Sequence, residues 1–229
     1  MTLVVPVTPT TTPSYFCIAA TVTPPDPTID PTHQWDILDD PEQRHFYFKQ
    51  SVFRHKNELP PEIPVELLVA MGWAETGEAH YWNNDYIPSI GLRDGILQVT
   101  EASGFHEKWA RDNQNGALYN NTPMGIESNV IDAISYLQYL SSNIDSYTIG
   151  YGEAFNDIEN SRTVRILLHY NGGPNPILVY KNRQGNRNYL NNVANMLEAR
   201  VPGDVGCGDS GLVASLRKGQ DIVNNLVGP

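Results

Sequence analysis

Charge, cysteine and long apolar runs are all scarce in this 229-residue sequence, and each scarcity excludes a class of protein. Charged residues make up 18% of the chain, below the roughly 25% of typical globular proteins. Because no apolar run reaches about 18 residues, the sequence encodes no transmembrane helix. The 15 basic residues are outnumbered by 26 acidic ones, and the net charge of -11 disfavours nucleic acid and anionic membranes as partners. An uncharged polymer such as a glycan is the more suitable partner.

The chain has only two cysteines, Cys17 and Cys207. Neither lies in the C-x-x-C spacing of a metal or redox site, so we predict no such site. Because the two ends of a chain often lie close together, a disulfide between these cysteines is one interpretation. A pair of free, buried thiols is the other, and the sequence leaves both open.

The first 33 residues are rich in threonine and proline. The stretches "PVTPTTTP" and "VTPPDPTIDPT" predict an extended segment or linker over residues 1–33. The start, Met-Thr-Leu, has no basic residue and so is not a complete signal peptide. Because an uncharged polar composition is typical of exported proteins, we expect a piece of a longer protein of the cell envelope or the extracellular space.

Helical periodicity dominates the rest of the sequence, and strong strand-like alternation is absent. We therefore predict a mainly α fold, with one domain over residues 34–200 and a C-terminal helical extension over residues 201–229. Residues 34–60 favour a short helix that leads into the core. The stretch "DSGLVASLRKGQDIVNNLV" predicts the terminal helix, which we expect to pack against the domain.

Three stretches between these ends predict helices with apolar faces. "PPEIPVELLVAMGWAE" predicts a helix that begins near Pro64 and stops at Gly77, with apolar positions Ile63, Leu67, Leu68, Met71 and Ala74. "TPMGIESNVIDAISYLQYLSSNI" aligns Ile126, Val130, Ile134, Leu137, Leu140 and Ile144, and "NRNYLNNVANMLEAR" aligns Leu190, Val193, Ala194 and Leu197. A further helix, in "SRTVRILLHY", is predicted to begin at a capping Ser161 and to end in "NGGPNP".

A single carboxylate, Glu75, ends the apolar run "LLVAMGWAE". The negative end of the helix dipole disfavours a carboxylate there, and burial against Trp73, Tyr81 and Trp82 would disfavour it further. Both effects raise a carboxyl pKa, and a glutamic acid that is protonated near neutral pH can donate its proton to a glycosidic oxygen. A solvated glutamate in the last helical turn is the simpler explanation of this spacing taken alone.

Three more motifs follow Glu75 in order. They are "SIGLRDGILQVT", "LLHYNGGPNP" and "YLNNV". Together with Glu75-Thr76, these stretches resemble the four motifs of the lytic transglycosylases and goose-type lysozymes (the SLT domain, glycoside hydrolase family 23). The family's E-S, G-L-M-Q, A-Y-N-x-G and Y-V motifs have as counterparts Glu75-Thr76, Gly95-Ile96-Leu97-Gln98, His169-Tyr170-Asn171-Gly172-Gly173 and Tyr189-Leu190. The resemblance covers about residues 60–198.

The resemblance implies a lysozyme-like fold in which Glu75 is the sole catalytic acid and base. It implies that Gln98 lines the glycan cleft, and that Tyr189 turns its hydroxyl toward the catalytic carboxyl. The remaining substrate-binding residues that it implies are Ser89, Tyr170 and Asn171. The cleft is expected between the Glu75 helix, the Ser89–Gln98 loop and the Tyr170–Gly173 loop. Three positions depart from the family motifs, Thr76, Leu97 and His169; the last is interpreted as a packing or surface change, with a titrating group near the cleft as the alternative.

The reaction implied is cleavage of the β-1,4 bond between N-acetylmuramic acid and N-acetylglucosamine in peptidoglycan, which leaves a 1,6-anhydromuramoyl end. No metal or organic cofactor is implied, and we expect a monomer. Hydrolysis of peptidoglycan or chitin is the alternative; it requires a second carboxylate, for which Asp85, Asp94 and Glu101 are the candidates. A non-catalytic module that binds cell-wall glycan is the third interpretation.

Overall fold

The computed structural model of the protein describes residues 33–34, 36, 38, 41–76, 95–99, 104–105, 122–182, 186–198 and 210–228. Within these ranges the chain forms α-helices and no strand, which confirms the predicted mainly α class. The helices are α1 Pro41–Arg54, α2 Val65–Thr76, α3 Pro123–Tyr147, α4 Ser161–Gly172, α5 Pro176–Lys181, α6 Tyr189–Glu198 and α7 Ser210–Val227. Short 3-10 helices span Lys56–Glu58 and Gly152–Phe155. The predicted linker, apart from residue 33, and both cysteines lie outside the described residues.

Helix α2 is buried on nearly every side. The predicted apolar positions Leu67, Leu68 and Met71 have no exposed surface. On the opposite side of the helix, Val69 and Trp73 are only 3% and 5% exposed. A helix that is apolar all round is buried all round, and α2 accordingly packs against both α1 and α6. The helix is therefore buried on more than the one apolar face that the sequence predicts.

Helix α3 has the apolar face that its periodicity predicts. All six residues of that face are at most 2% exposed, and burial of each such side chain contributes about 1.5–3 kcal/mol. The helix begins after Thr122, whose Oγ1 accepts a hydrogen bond of 3.0 Å from the Gly125 N–H. A second face of α3 buries polar side chains, among them Glu127, Asn129 and Asp132, and these face other parts of the fold instead of solvent.

Helix α4 differs from its prediction at both ends. Asn160 precedes the helix and Ser161 is its first residue, so the predicted cap at Ser161 is wrong. The helix continues through Gly172, so most of the predicted Tyr170–Gly173 loop is helical. It ends at Gly173, whose φ of 66° favours glycine and whose N–H bonds the His169 carbonyl at 2.9 Å. The Gly173 N–H thus satisfies one carbonyl of the last helical turn. The helix therefore continues into the "NGGPNP" stretch, where the sequence predicts its end.

Helices α6 and α7 cover the core from the C-terminal side. The predicted face of α6 is at most 1% exposed, and α7 packs along α6 with contacts to α4 and α5. The close approach occurs at Gly219 of α7, where an added Cβ would lie 2.5 Å from Val164 Cγ1. None of the helices in the described ranges is both long and apolar enough to cross a membrane.

Candidate functional site

Glu75 is the penultimate residue of α2, where the buried helix reaches the edge of the core. The residue as a whole is half-buried, whereas the surrounding protein atoms enclose its carboxyl group. Burial raises the pKa of Glu75 to about 8, and a hydrogen bond with Tyr189 acts in the opposite direction. The direction agrees with the sequence-based expectation. Two of the expected neighbours, Tyr81 and Trp82, lie outside the described residues.

Tyr189, the first residue of α6, lies beside the Glu75 carboxyl. Its side chain is 1% exposed, and burial, followed by the charge of Glu75, raises the pKa of Tyr189 well above its usual value. The phenol is therefore a neutral donor. The hydroxyl stabilises the carboxylate; among the described residues it has no other hydrogen-bond partner. The buried Tyr189 hydroxyl therefore lies beside the Glu75 carboxyl and favours its ionised form.

Tyr180 of α5 also belongs to this site, although the sequence analysis did not identify it. It is 1% exposed, and burial, together with the charges of Glu75 and Tyr151, raises the pKa of Tyr180. Its hydroxyl donates a hydrogen bond of 3.1 Å to Asn171 Oδ1. The tyrosine therefore connects Asn171 to the surroundings of Glu75. In the sequence, the only indication was a tyrosine shortly after "GGPNP". A tyrosine that merely packs in the core gives the same sequence pattern, so Tyr180 could not be identified as a site residue.

Tyr170 lies in the last turns of α4 and its hydroxyl bonds a different part of the chain from Glu75. The hydroxyl donates to the Leu97 carbonyl at 2.6 Å, and the ring packs against Tyr136 with centroids 5.3 Å apart. Tyr170 is also within electrostatic reach of Tyr189. Tyr170 is therefore connected to the site by its hydrogen bond to Leu97, which lies in the turn beside α2.

That turn, Gly95–Gln98, carries the predicted glycan-lining amide. Gly95 has a φ of 68° and Gln98 a φ of 48°, and Gln98 Nε2 donates to the Gly95 carbonyl at 2.6 Å. The turn packs closely on α2, since a Cβ added at Gly72 would lie 3.0 Å from Ile96 Cγ2. Gly72 is one helical turn before Glu75, so the turn and the carboxyl belong to the same region of the fold. Ser89 lies outside the described residues.

His169 is fully buried beside the site and is a packing residue. Its Nδ1 lies 2.8 Å from the Gly173 carbonyl and therefore donates, which leaves Nε2 to accept from the Tyr151 hydroxyl at 2.5 Å. Burial lowers the pKa of His169 to about 4, although the Gly173 carbonyl acts in the opposite direction. The imidazole is therefore neutral at pH 7, in agreement with the packing interpretation of this departure from the family motif.

Among the described residues, the site offers one carboxyl group, three tyrosines, Asn171 and Gln98. No cluster of metal-binding side chains occurs in the described ranges. The candidate second acids Asp85, Asp94 and Glu101 lie outside these ranges. Such an arrangement can hold a proton near neutral pH beside uncharged hydrogen-bonding groups, which suits acid catalysis on a neutral substrate.

Comparisons with protein-family models, curated proteins and solved structures found no match to this chain. The resemblance to lytic transglycosylases therefore remains a prediction that rests on the four motifs.

Proposed function

We propose that this protein is a peptidoglycan lytic transglycosylase of the bacterial cell envelope, with Glu75 as its single acid and base. The proposal is supported by the four motifs and by the chemistry of the residues around Glu75. These residues are uncharged hydrogen-bonding groups, as expected of a site for a neutral glycan. The net charge of -11 also favours an uncharged polymer over an anionic one.

The state of Glu75 is the observation that carries the proposal. With a pKa of about 8, the carboxyl holds its proton at pH 7 in roughly nine molecules of ten. An acid of this strength can both give up a proton and take it back near neutral pH, which a carboxyl of ordinary pKa cannot do efficiently.

In the proposed first step, Glu75 donates its proton to the oxygen between N-acetylmuramic acid and N-acetylglucosamine. The bond from C1 of the muramic acid to this oxygen breaks, and the substrate's own N-acetyl group stabilises the positive charge on C1. In the second step, the ionised Glu75 takes the proton of the C6 hydroxyl as its oxygen bonds to C1. A 1,6-anhydromuramoyl end forms, Glu75 regains its proton, and no water is consumed.

The residues around Glu75 have corresponding roles in this proposal. The Tyr189 hydroxyl stabilises the carboxylate that exists between the two steps, because it is a neutral donor beside it. Asn171, positioned by Tyr180, and Gln98 contact the sugar. The reaction as proposed uses no metal or organic cofactor.

The test is mass spectrometry of the soluble products released from purified peptidoglycan. We expect products lighter by one water than the corresponding reducing sugars, and we expect Glu75→Gln to release none while keeping its fold and its binding to glycan. Glu66→Gln is the matched control, because Glu66 is an exposed acid in the first turn of the same helix; it should behave as the parent.

Other outcomes distinguish the alternatives. Reducing ends would assign hydrolysis and would require a water-activating carboxylate, with Asp85, Asp94 and Glu101 as the positions to change. Binding to glycan without any products would assign a cell-wall binding module. Comparable release by Glu75→Gln and by the parent would refute the role of Glu75.

A further inference from the structure

The main chain of Leu97 is held at both its N–H and its carbonyl by side chains from two different helices. The Leu97 N–H donates to Asn129 Oδ1 of α3 at 2.8 Å. The Leu97 carbonyl accepts from the Tyr170 hydroxyl of α4 at 2.6 Å. Leu97 is fully buried and Asn129 is 1% exposed, so water does not compete for these hydrogen bonds.

The residue that follows has an unusual backbone conformation. Gln98 has a φ of 48°, in the left-handed region that favours glycine. A side chain other than glycine stays in this region only when its surroundings impose it, and such residues concentrate at functional sites. Here the surroundings are identifiable. The hydrogen bond from Tyr170 fixes the carbonyl of the peptide that joins Leu97 to Gln98, and the bond to Asn129 fixes the N–H of the peptide before it.

Packing restricts the turn further. A Cβ added at Gly95 would lie 2.3 Å from Asn129 Cγ, so the Asn129 amide lies directly against the Gly95 backbone. On the other side, Ile96 approaches Gly72 of α2, the helix that ends with Glu75 and Thr76. The turn is therefore held against three helices at once.

We propose that Asn129, together with the Tyr170 hydroxyl, is a positioning residue that sets the conformation of Gln98 relative to Glu75. This inference rests on the proposed function, because Gln98 is the group assumed to contact the glycan. It assigns to Asn129 a role that the motifs do not contain. It also gives the Tyr170 hydroxyl a partner in the protein main chain.

The test is a set of double variants measured for turnover of peptidoglycan. We expect Asn129→Leu, which keeps the size of the side chain but removes the acceptor, to lower kcat/KM roughly 10- to 100-fold, as misplacement of a binding group does. Tyr170→Phe, which keeps the ring, should lower it similarly. In a Gln98→Ala background neither change should lower kcat/KM by more than about twofold, since the positioned group is already gone.

Stability controls separate positioning from folding. Thr163→Val is matched to Tyr170→Phe, because the buried Thr163 hydroxyl also donates to a main-chain carbonyl, that of Glu62, at 2.9 Å. It should lower the melting temperature and leave kcat/KM unchanged. Asn129→Asp keeps the acceptor and should keep most of the turnover that Asn129→Leu loses.

Two results would overturn the inference. One is an effect of Asn129→Leu or Tyr170→Phe that is equally large with and without Gln98. The other is full turnover in a folded Asn129→Leu protein. If Asn129→Leu does not fold, Tyr170→Phe alone decides the question. Failure of the proposed function is recognised separately: the parent would then release reducing ends or no products, or Glu75→Gln would retain the activity of the parent.

Discussion

At the scale of single residues, Glu75 is acted on by two opposing influences of unequal size. Burial at the end of α2 raises its pKa to about 8, and the hydrogen bond with Tyr189 lowers it by less. An acid in such a place is more protonated in the folded protein than in the unfolded chain. Its effect on stability therefore depends on pH, whatever reaction the protein catalyses.

We predict that Glu75→Gln stabilises the protein at alkaline pH. Between the unfolded pKa of 4.5 and the folded value of about 8, the folded state binds more protons than the unfolded state, so parent stability falls as the pH rises. Glutamine removes this dependence. The free energy of unfolding of the variant should exceed that of the parent by on the order of 5 kcal/mol at about pH 9, and by much less at about pH 5.

Urea denaturation at the two pH values measures this difference. Glu66→Gln, at the exposed position in the first turn of α2, should show no such change. A Glu75→Gln protein whose stability follows the same pH dependence as the parent would show that the carboxyl has an ordinary pKa.

At the scale of helices, a buried ion cluster joins α1 to α3. Glu127 of α3 bonds Ser51 and Arg54 of α1, and it accepts from His55 Nε2 at 2.6 Å. Burial alone would raise the pKa of Glu127, but the hydrogen bonds from His55, Arg54 and Ser51 outweigh it and lower the pKa to about 2. Glu127 is only 8% exposed, so these side chains take the place of water as partners of its charge.

We predict that Glu127→Gln lowers the free energy of unfolding by about 3 kcal/mol at pH 7, because Arg54 loses its buried counter-charge. The stability that Glu127 contributes is present above the unfolded pKa of 4.5 and is lost as the pH falls toward the folded value of about 2. The difference between variant and parent should therefore shrink at about pH 3. Denaturation at both pH values tests this, and Glu153→Gln, an exposed acid, is the control. A difference that is the same at both pH values would contradict the assignment.

His55 adds a second pH dependence to the same cluster. Its pKa is raised, chiefly by the hydrogen bond with Glu127 and against the effect of burial. The stability that it contributes is present below its unfolded pKa of 6.5 and is lost as the pH rises through the folded value. The cluster is therefore complete only while Glu127 is ionised and His55 is protonated.

At the scale of the whole molecule, the C-terminal helix α7 packs against α4, α5 and α6. Gly219 of α7 lies against Val164 of α4 and Leu190 of α6. Because Leu190 directly follows Tyr189, the position of α7 is coupled to the start of the helix that faces Glu75. The C-terminal helix is thus packed as part of the core around the site.

We predict that Gly219→Ala destabilises the protein by about 1–3 kcal/mol, since its Cβ would lie 2.5 Å from Val164 Cγ1 and would push α7 outward. The effect should be opposite in sign to the gain that alanine normally brings inside a helix. Thermal denaturation measures it, with Asn225→Ala at an exposed position of α7 as the control. A variant as stable as the parent would show that α7 is not packed tightly against Val164.

Much of the secondary structure followed from the sequence, because helices and their buried faces depend on local periodicity. The six apolar residues of α3 and the four of α6 are buried as predicted. Composition near the ends of α4 was less informative. Ser161 was predicted to cap the helix and does not, and the helix continues to Gly172 because Gly173 supplies the left-handed backbone that ends it.

By itself, the sequence determined the helical class and the apolar faces, since both depend on neighbours along the chain. Only the tertiary structure decided which polar groups meet. The bond from Tyr170 to Leu97 joins residues 73 positions apart, and that from Leu97 to Asn129 joins residues 32 apart. A chain offers a buried tyrosine or asparagine many donors and acceptors with which it could form a hydrogen bond. The packing of α2, α3 and α4 brings one of them within hydrogen-bond distance, and no local pattern encodes that choice.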